Sequence, residues 1–175
     1  MKAIILNLAA WSVLPIMDGM AKYLSAEIPV LQVVWGRYFF MVLLSVPLTY
    51  IFFNNFLKWP SNIIIQLIRS IFLFSSTVMF FYAISILPLA DSLALMFFAP
   101  IIVTILSAFI LKEKVGLRRW MAVFVGFFGA LIVIRPGFNE INLATIAAIG
   151  AGFSYALYII STRKLSSLDN PLLTL

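Results

Sequence analysis

The chain has 175 residues, 64% of them hydrophobic and only 10% charged, with a mean hydropathy of +1.13. A soluble core of this length could not hide so many Phe, Ile and Leu side chains, whereas lipid accepts them on every face of a helix. Cysteine and histidine are both absent, which excludes disulfide frameworks, zinc and haem ligation by those residues and His-dependent nucleophile systems; the formal charge of +6 sits between apolar runs, where membrane topology rather than nucleic-acid binding would put it.

Runs apolar enough to cross roughly 30 Å of hydrocarbon at about 1.5 Å per residue are expected near 4–24, 31–53, 63–86, 89–111, 118–134 and 143–161. The expected fold is therefore an all-α polytopic membrane protein with six transmembrane helices. The connections around "SAEIPV", "NNFLKWP", "LPL", "KEKVGL" and "RPGFNEIN" are too short to fold as soluble domains, so function must lie between the helices. No glycine-rich phosphate loop is present and the six carboxylates are scattered singly, so neither an enzyme, nor a cofactor, nor a metal site is expected.

The first run follows Lys2, but Asp18 and Lys22 interrupt its end and no clean small-x-small cleavage site follows, so it reads as a retained helix. With the N-terminus inside, the inner connections collect Lys2, Lys58, Lys112, Lys114, Arg118, Arg119, Arg163 and Lys164, and the outer ones only Lys22 and Arg135. That asymmetry predicts a multi-pass protein with both termini cytoplasmic, and it puts Trp59 and Trp120 at the inner interface.

Several polar residues fall inside the spans. Asp18 and Lys22 are one turn apart; either they neutralise each other while Lys22 snorkels outward, or Asp18 faces a central cavity and takes up a cation or proton. Arg37 lies about six residues, roughly 9 Å, inside the outer end of span two, which favours a carboxylate partner from Asp18, Glu27 or Asp91. Arg69 is close enough to the inner end of span three to snorkel. In "LPLADSLALMFFAPIIVTIL", Pro88 and Asp91 stand where a helix N-terminus favours a carboxylate, and Pro100 frees the Met96 carbonyl at mid-span. A kink there serves packing or builds a site.

Small residues recur every fourth position in spans five and six: Ala122, Gly126 and Ala130, then Ala144, Ala148, Gly152 and Ala156. Such rows are expected as close packing seams, and a sliding surface is the functional alternative. Trp11, Trp35, Phe39, Tyr82 and Phe98 are expected to face lipid or neighbouring helices, or to stack on a flat or cationic solute.

The exit of span six, "STRKLSSLDNPLLT", aligns with that of span one, "MAKYLSAEIPVLQ": Lys22 with Arg163, Leu24 with Leu165, Ser25 with Ser166 and, after one inserted residue, Pro29 with Pro171. Five spans separate the copies, and an odd number inverts the second in the membrane. With Arg37 in "VVWGRYFF", "YAISILPLADSLA", Pro100, Glu113 in "LKEKVG" and "GFFGALIVIRPG", the chain resembles the drug/metabolite transporter superfamily and its EamA-type five-helix repeat. The elements "MDGMAKYL", "LIRSIFLF" and "RRWMAVFVGFFGALIVIRP" are similar to the bacterial S-adenosylmethionine uptake subgroup.

That resemblance implies one complete repeat over 1–137 and the start of an inverted second over 138–175. It also implies a secondary carrier of small metabolites in the bacterial inner membrane, with S-adenosylmethionine or an amino-acid-like solute as substrate. Members usually have ten spans, so the chain reads as truncated after about span six. A homodimer or a missing second half would be needed to complete the carrier, and a transport-inactive fragment or assembly subunit is the alternative. The expected partners are the lipid bilayer and a small-molecule substrate, with no nucleic acid. The pathway candidates are Asp18, Lys22, Arg37, Asp91, Pro100, Trp11 and Tyr82.

Overall fold

A computed structural model describes residues 2–52, 62–113, 115–134 and 142–166. The interface positions expected of Lys58, Trp59, Lys114 and Arg135 lie outside these residues, as does the stretch from 167 onward, including Pro171; the side chains of Lys2, Trp11 and Ala130 are also outside what is described. The described residues form α1 (Lys2–Ser25), α2 (Val30–Phe52), α3 (Ile63–Ile86), α4 (Leu89–Met96), α5 (Ala99–Ile110), α6 (Leu117–Ile134) and α7 (Leu143–Ser166), with no strand among them. Val30–Pro47, Ile63–Ile86, Leu89–Ile110 and Leu143–Ser166 are long and apolar enough to cross a membrane. The 24 residues of α1 and the 18 of α6 give lengths of roughly 36 and 27 Å. The chain is an all-α polytopic membrane protein.

Local chemistry explains several helix boundaries. Asn62 caps α3 by accepting from the Ile65 N–H at 3.1 Å. Asn142 opens α7 in the same way, accepting from the Thr145 N–H at 2.9 Å. α7 runs past the expected end at 161 to Ser166, because Arg163 and Lys164 occupy a last turn whose carbonyls favour cations.

At the kink expected at Pro100 the regular helix is interrupted, although Phe97 and Phe98 keep right-handed helical backbones, with φ −64° and −63°. Span four divides into α4 and α5, with Phe97 and Phe98 as a turn between them. The Phe97 N–H is shared between the carbonyls of Leu93 and Ala94 at 3.0 and 3.1 Å, the tightening common at a helix end. Pro100 has no N–H to return to Met96; it stands in the first turn of α5, the position a helix tolerates best. The Thr104 hydroxyl donates to the Pro100 carbonyl at 2.8 Å.

Between apolar helices in lipid, close packing and interhelical hydrogen bonds replace the hydrophobic effect as the source of association. α7 supplies both. Ala144, Ala148, Ala151, Gly152 and Ala156 are buried on faces turned to α3, α4 and α5. The Ser76 hydroxyl of α3 donates to the Ala151 carbonyl at 2.9 Å. α1 and α2 flank α3 on one side, joined by a cluster of Ala21, Val33, Val34, Phe80, Phe81, Ile84 and Ala151. α6 covers α4 and α5 on the other side. Large apolar side chains such as Leu31, Trp35, Phe39 and Leu43 on α2, and Met121, Val125 and Phe128 on α6, remain exposed, as a lipid surround permits.

Candidate functional site

The break in span four lies against α7. A Cβ added to Gly152 would stand 3.3 Å from the Met96 carbonyl oxygen and 3.4 Å from Met96 Cα, so a larger residue there needs the two backbones to give by a few tenths of an ångström. From Pro100 a cavity of ≈ 260 Å³ opens between α5, α6 and α7. Its wall includes Pro100, Val103 and Thr104 of α5, Arg119 of α6, and Tyr155 and Arg163 of α7. Helical spacing explains their convergence: 100 and 104 share one face of α5, and 155 and 163, two turns apart, share one face of α7.

An ionic cluster adjoins the cavity. One oxygen of Glu113, Oε2, lies 3.4 Å from Arg119 Nη1 and 3.7 Å from Arg163 Nη1, all three side chains being partly exposed. The turn after α5 places that carboxylate: Lys112 takes a left-handed conformation with φ 53°, and the Glu113 N–H donates back to the Ser107 carbonyl at 3.3 Å. This equipment can bind and orient a solute. Among the described residues no group of His, Cys, Asp or Glu is arranged to hold a metal ion.

The other candidates are distributed around the bundle. Lys22 turns away from Asp18 and donates to the carbonyls of Ile84 and Leu87, both at 2.8 Å, at the negative end of the α3 dipole. Asp18 is half-buried within electrostatic reach of Arg37. Neither Lys22 nor Arg37 approaches it to 4.0 Å. Among the described residues Arg37 has no carboxylate at ion-pair distance; its guanidinium stands 5.4 Å from the centre of the buried Phe81 ring, whose face supplies the negative potential instead. Arg69 does not snorkel: it is buried, with its guanidinium 5.6 Å from the Tyr158 ring centre.

Asp91 occupies the first turn of α4, but Pro88 is the cap residue and makes no side-chain cap bond, so the carboxylate acts there through the helix dipole. Tyr82 is half-buried on α3, away from the cavity wall. Trp11 lies on α1. Ala144, Ala148, Gly152 and Ala156 form a buried seam, whereas Ala122 and Gly126 are exposed, and a Cβ at Gly126 would meet nothing within 4 Å. Among the described residues, Ala122 and Gly126 thus lack the close neighbour that the equally spaced row on α7 has.

Of the pathway candidates, Pro100 alone borders the cavity. Sequence reasoning assigns no site role to Thr104, Tyr155, Arg119 or Arg163, and places the two arginines among the charges of the inner connections. The available signal was the four-residue step from Pro100 to Thr104 and the eight-residue step from Tyr155 to Arg163. Also unforeseen was the bond at 3.0 Å between the Tyr38 and Thr77 hydroxyls, which ties α2 to α3.

Comparison with known proteins gives this geometry a context. The EamA-like transporter family matches residues 1–135. The S-adenosylmethionine uptake transporter of Rickettsia prowazekii is 29% identical over 147 residues, covering 84% of this chain and 50% of that protein. The riboflavin transporter of Vibrio cholerae is 42% identical over 84 residues, 48% of this chain and 28% of that protein. Protein RarD of Escherichia coli is 23% identical over 169 residues, 94% of this chain and 56% of that protein. The chain spans about half the length of the curated relatives it matches along most of its own length. No solved structure matches it. The family match extends from α1 through α6, and the chain belongs to the EamA-like transporter family of the drug/metabolite transporter superfamily.

Proposed function

We propose that the chain serves as a carrier of small metabolites across the bacterial inner membrane, working by alternating access around the break between Met96 and Ala99, with both termini cytoplasmic. S-adenosylmethionine or an amino-acid-like solute is the proposed substrate. The observation that carries this reading is a span interrupted by a proline, packed on Gly152 of α7 and bordering a cavity at Pro100. Interrupted helices are where carriers of inverted architecture build their sites. Residues 1–137 are read as one five-helix unit and 138–175 as the start of its inverted counterpart. In support, α1 and α7 each have 24 residues and end on aligned serines. Ser25 Oγ donates to the Lys22 carbonyl at 2.8 Å, and Ser166 Oγ to the Arg163 carbonyl at 3.0 Å.

Riboflavin is the second substrate reading, favoured by the local likeness to the Vibrio cholerae protein. The test is uptake of labelled S-adenosylmethionine and labelled riboflavin into proteoliposomes containing the product of the native gene. Saturable uptake of the first, competed by its unlabelled form, is expected. Saturable uptake of riboflavin alone would move the substrate to the second reading, and no flux of either by correctly inserted protein would overturn the carrier.

A further inference from the structure

We infer that the cavity between α5, α6 and α7 binds a compact anionic group of the solute, a carboxylate or phosphate, through Arg119 and Arg163, with Glu113 as the counter-ion that the anion displaces. The inference rests on the carrier reading for its purpose, though not for the binding itself.

Charge is the first argument. Two guanidiniums that stay ionised at any physiological pH face one carboxylate, leaving the trio with an excess positive charge at the cavity wall. Distance is the second. Both arginines reach Glu113 through the same oxygen, at 3.4 and 3.7 Å, well beyond the roughly 2.7–2.9 Å of a tight charge-assisted bond. Among the described residues neither planar fork is therefore engaged by two carboxylate oxygens, the arrangement that holds carboxylate and phosphate most firmly. Lys22 shows the contrasting case, a cation already committed to two carbonyls at 2.8 Å each.

The remainder of the wall fits the rest of a small polar solute. Tyr155 brings a hydroxyl that donates or accepts. The Thr104 hydroxyl has given its hydrogen to the Pro100 carbonyl, so toward the cavity it is an acceptor only. Donors with the arginines and an acceptor near the helix break suit a solute carrying an anionic end and a hydrogen-donating end. The volume of ≈ 260 Å³ equals that of about nine waters and falls below the roughly 300–1,000 Å³ of pockets enclosing drug-sized ligands. It holds an amino-acid-sized portion of a solute. Glu113 links the turn after α5 to Arg163 of α7, so an anion that displaces it also releases that turn from α7.

Arginine footprinting on the full chain in detergent tests the inference. Phenylglyoxal modification of Arg119, Arg163 and the exposed Arg118, which does not line the cavity, is followed by mass spectrometry at constant ionic strength. The added probes are inorganic phosphate in one arm and acetate in the other. At twice the half-saturating concentration, phosphate should slow modification of Arg119 and Arg163 about threefold while leaving Arg118 unchanged. Acetate should protect the same two residues, and protection by phosphate alone would narrow the class to phosphoryl groups. Glu113→Gln should lower the half-protecting concentration about two- to fivefold, the range that exposed ion pairs account for. No protection, or equal protection at all three arginines, would overturn the inference. Protection without solute flux would instead overturn the carrier reading and leave the anion site standing.

Discussion

The ends of α1 and α7 carry aligned residues, yet the fold uses them in opposite ways. At the end of α1, Lys22 is a strut: its ammonium closes the end of α3 through two bonds of 2.8 Å, while Leu24 beside it stays 42% exposed. At the end of α7, Leu165 is fully buried, and Arg163 emerges beside a cavity, 3.7 Å from a carboxylate it shares with Arg119. A cation held on backbone carbonyls has finished its work in folding. One that shares a distant carboxylate beside a cavity keeps donors for something else.

The largest effect expected from this contrast is at Lys22. Lys22→Met keeps the apolar stem but strands the Ile84 and Leu87 carbonyls, and it should lower stability by about 1.5–3 kcal/mol. Arg163→Met should cost below about 1 kcal/mol, the worth of an exposed pair. Reversible unfolding in mixed micelles measures both, and equal losses would erase the distinction.

The helix seam gives the next prediction. Gly152→Ala forces α7 away from Met96 by a few tenths of an ångström and should cost about 1–3 kcal/mol, as overpacking does. Gly126→Ala, on a face where the new methyl meets nothing, should stay within about 0.5 kcal/mol. A small effect is also expected at Glu113: Glu113→Gln should change stability by less than about 1 kcal/mol. That difference should fade near 1 M salt, where the screening length is about 3 Å. Persistence of a larger loss at high salt would mean that Glu113 has a structural bond beyond its exposed ion pairs.

The spans were legible because hydropathy and length are properties of the chain itself; α3 begins and ends at the expected residues, 63 and 86. Partners were less legible, because sequence spacing names only local neighbours. Lys22 is one turn from Asp18, yet its acceptors lie 62 and 65 residues along the chain. A row of small residues likewise announces a capacity for close approach and not the presence of a neighbour. Ala148 is wholly buried beside its partners, while Ala122 on α6 is exposed. Pro100 announces an interrupted helix, but not what packs against it, because Gly152, which lies against Met96, is 56 residues further along the chain. The arginines of the cavity were read by their place in connecting segments. Only the packing of α5, α6 and α7 turns those loop charges into the wall of a site.

We propose that the interrupted span opens onto a solute cavity at the end marked by Arg119 and Arg163, and that this end faces the cytoplasm. The chain contains no cysteine, so a single cysteine in place of Tyr155 reports access without a background. The measurement is its rate of modification by a membrane-impermeant maleimide, in inside-out and right-side-out vesicles, with and without S-adenosylmethionine. Rapid labelling from the cytoplasmic face, slowed by the solute, is expected. Labelling only from the opposite face, or a rate that the solute leaves unchanged, would contradict it.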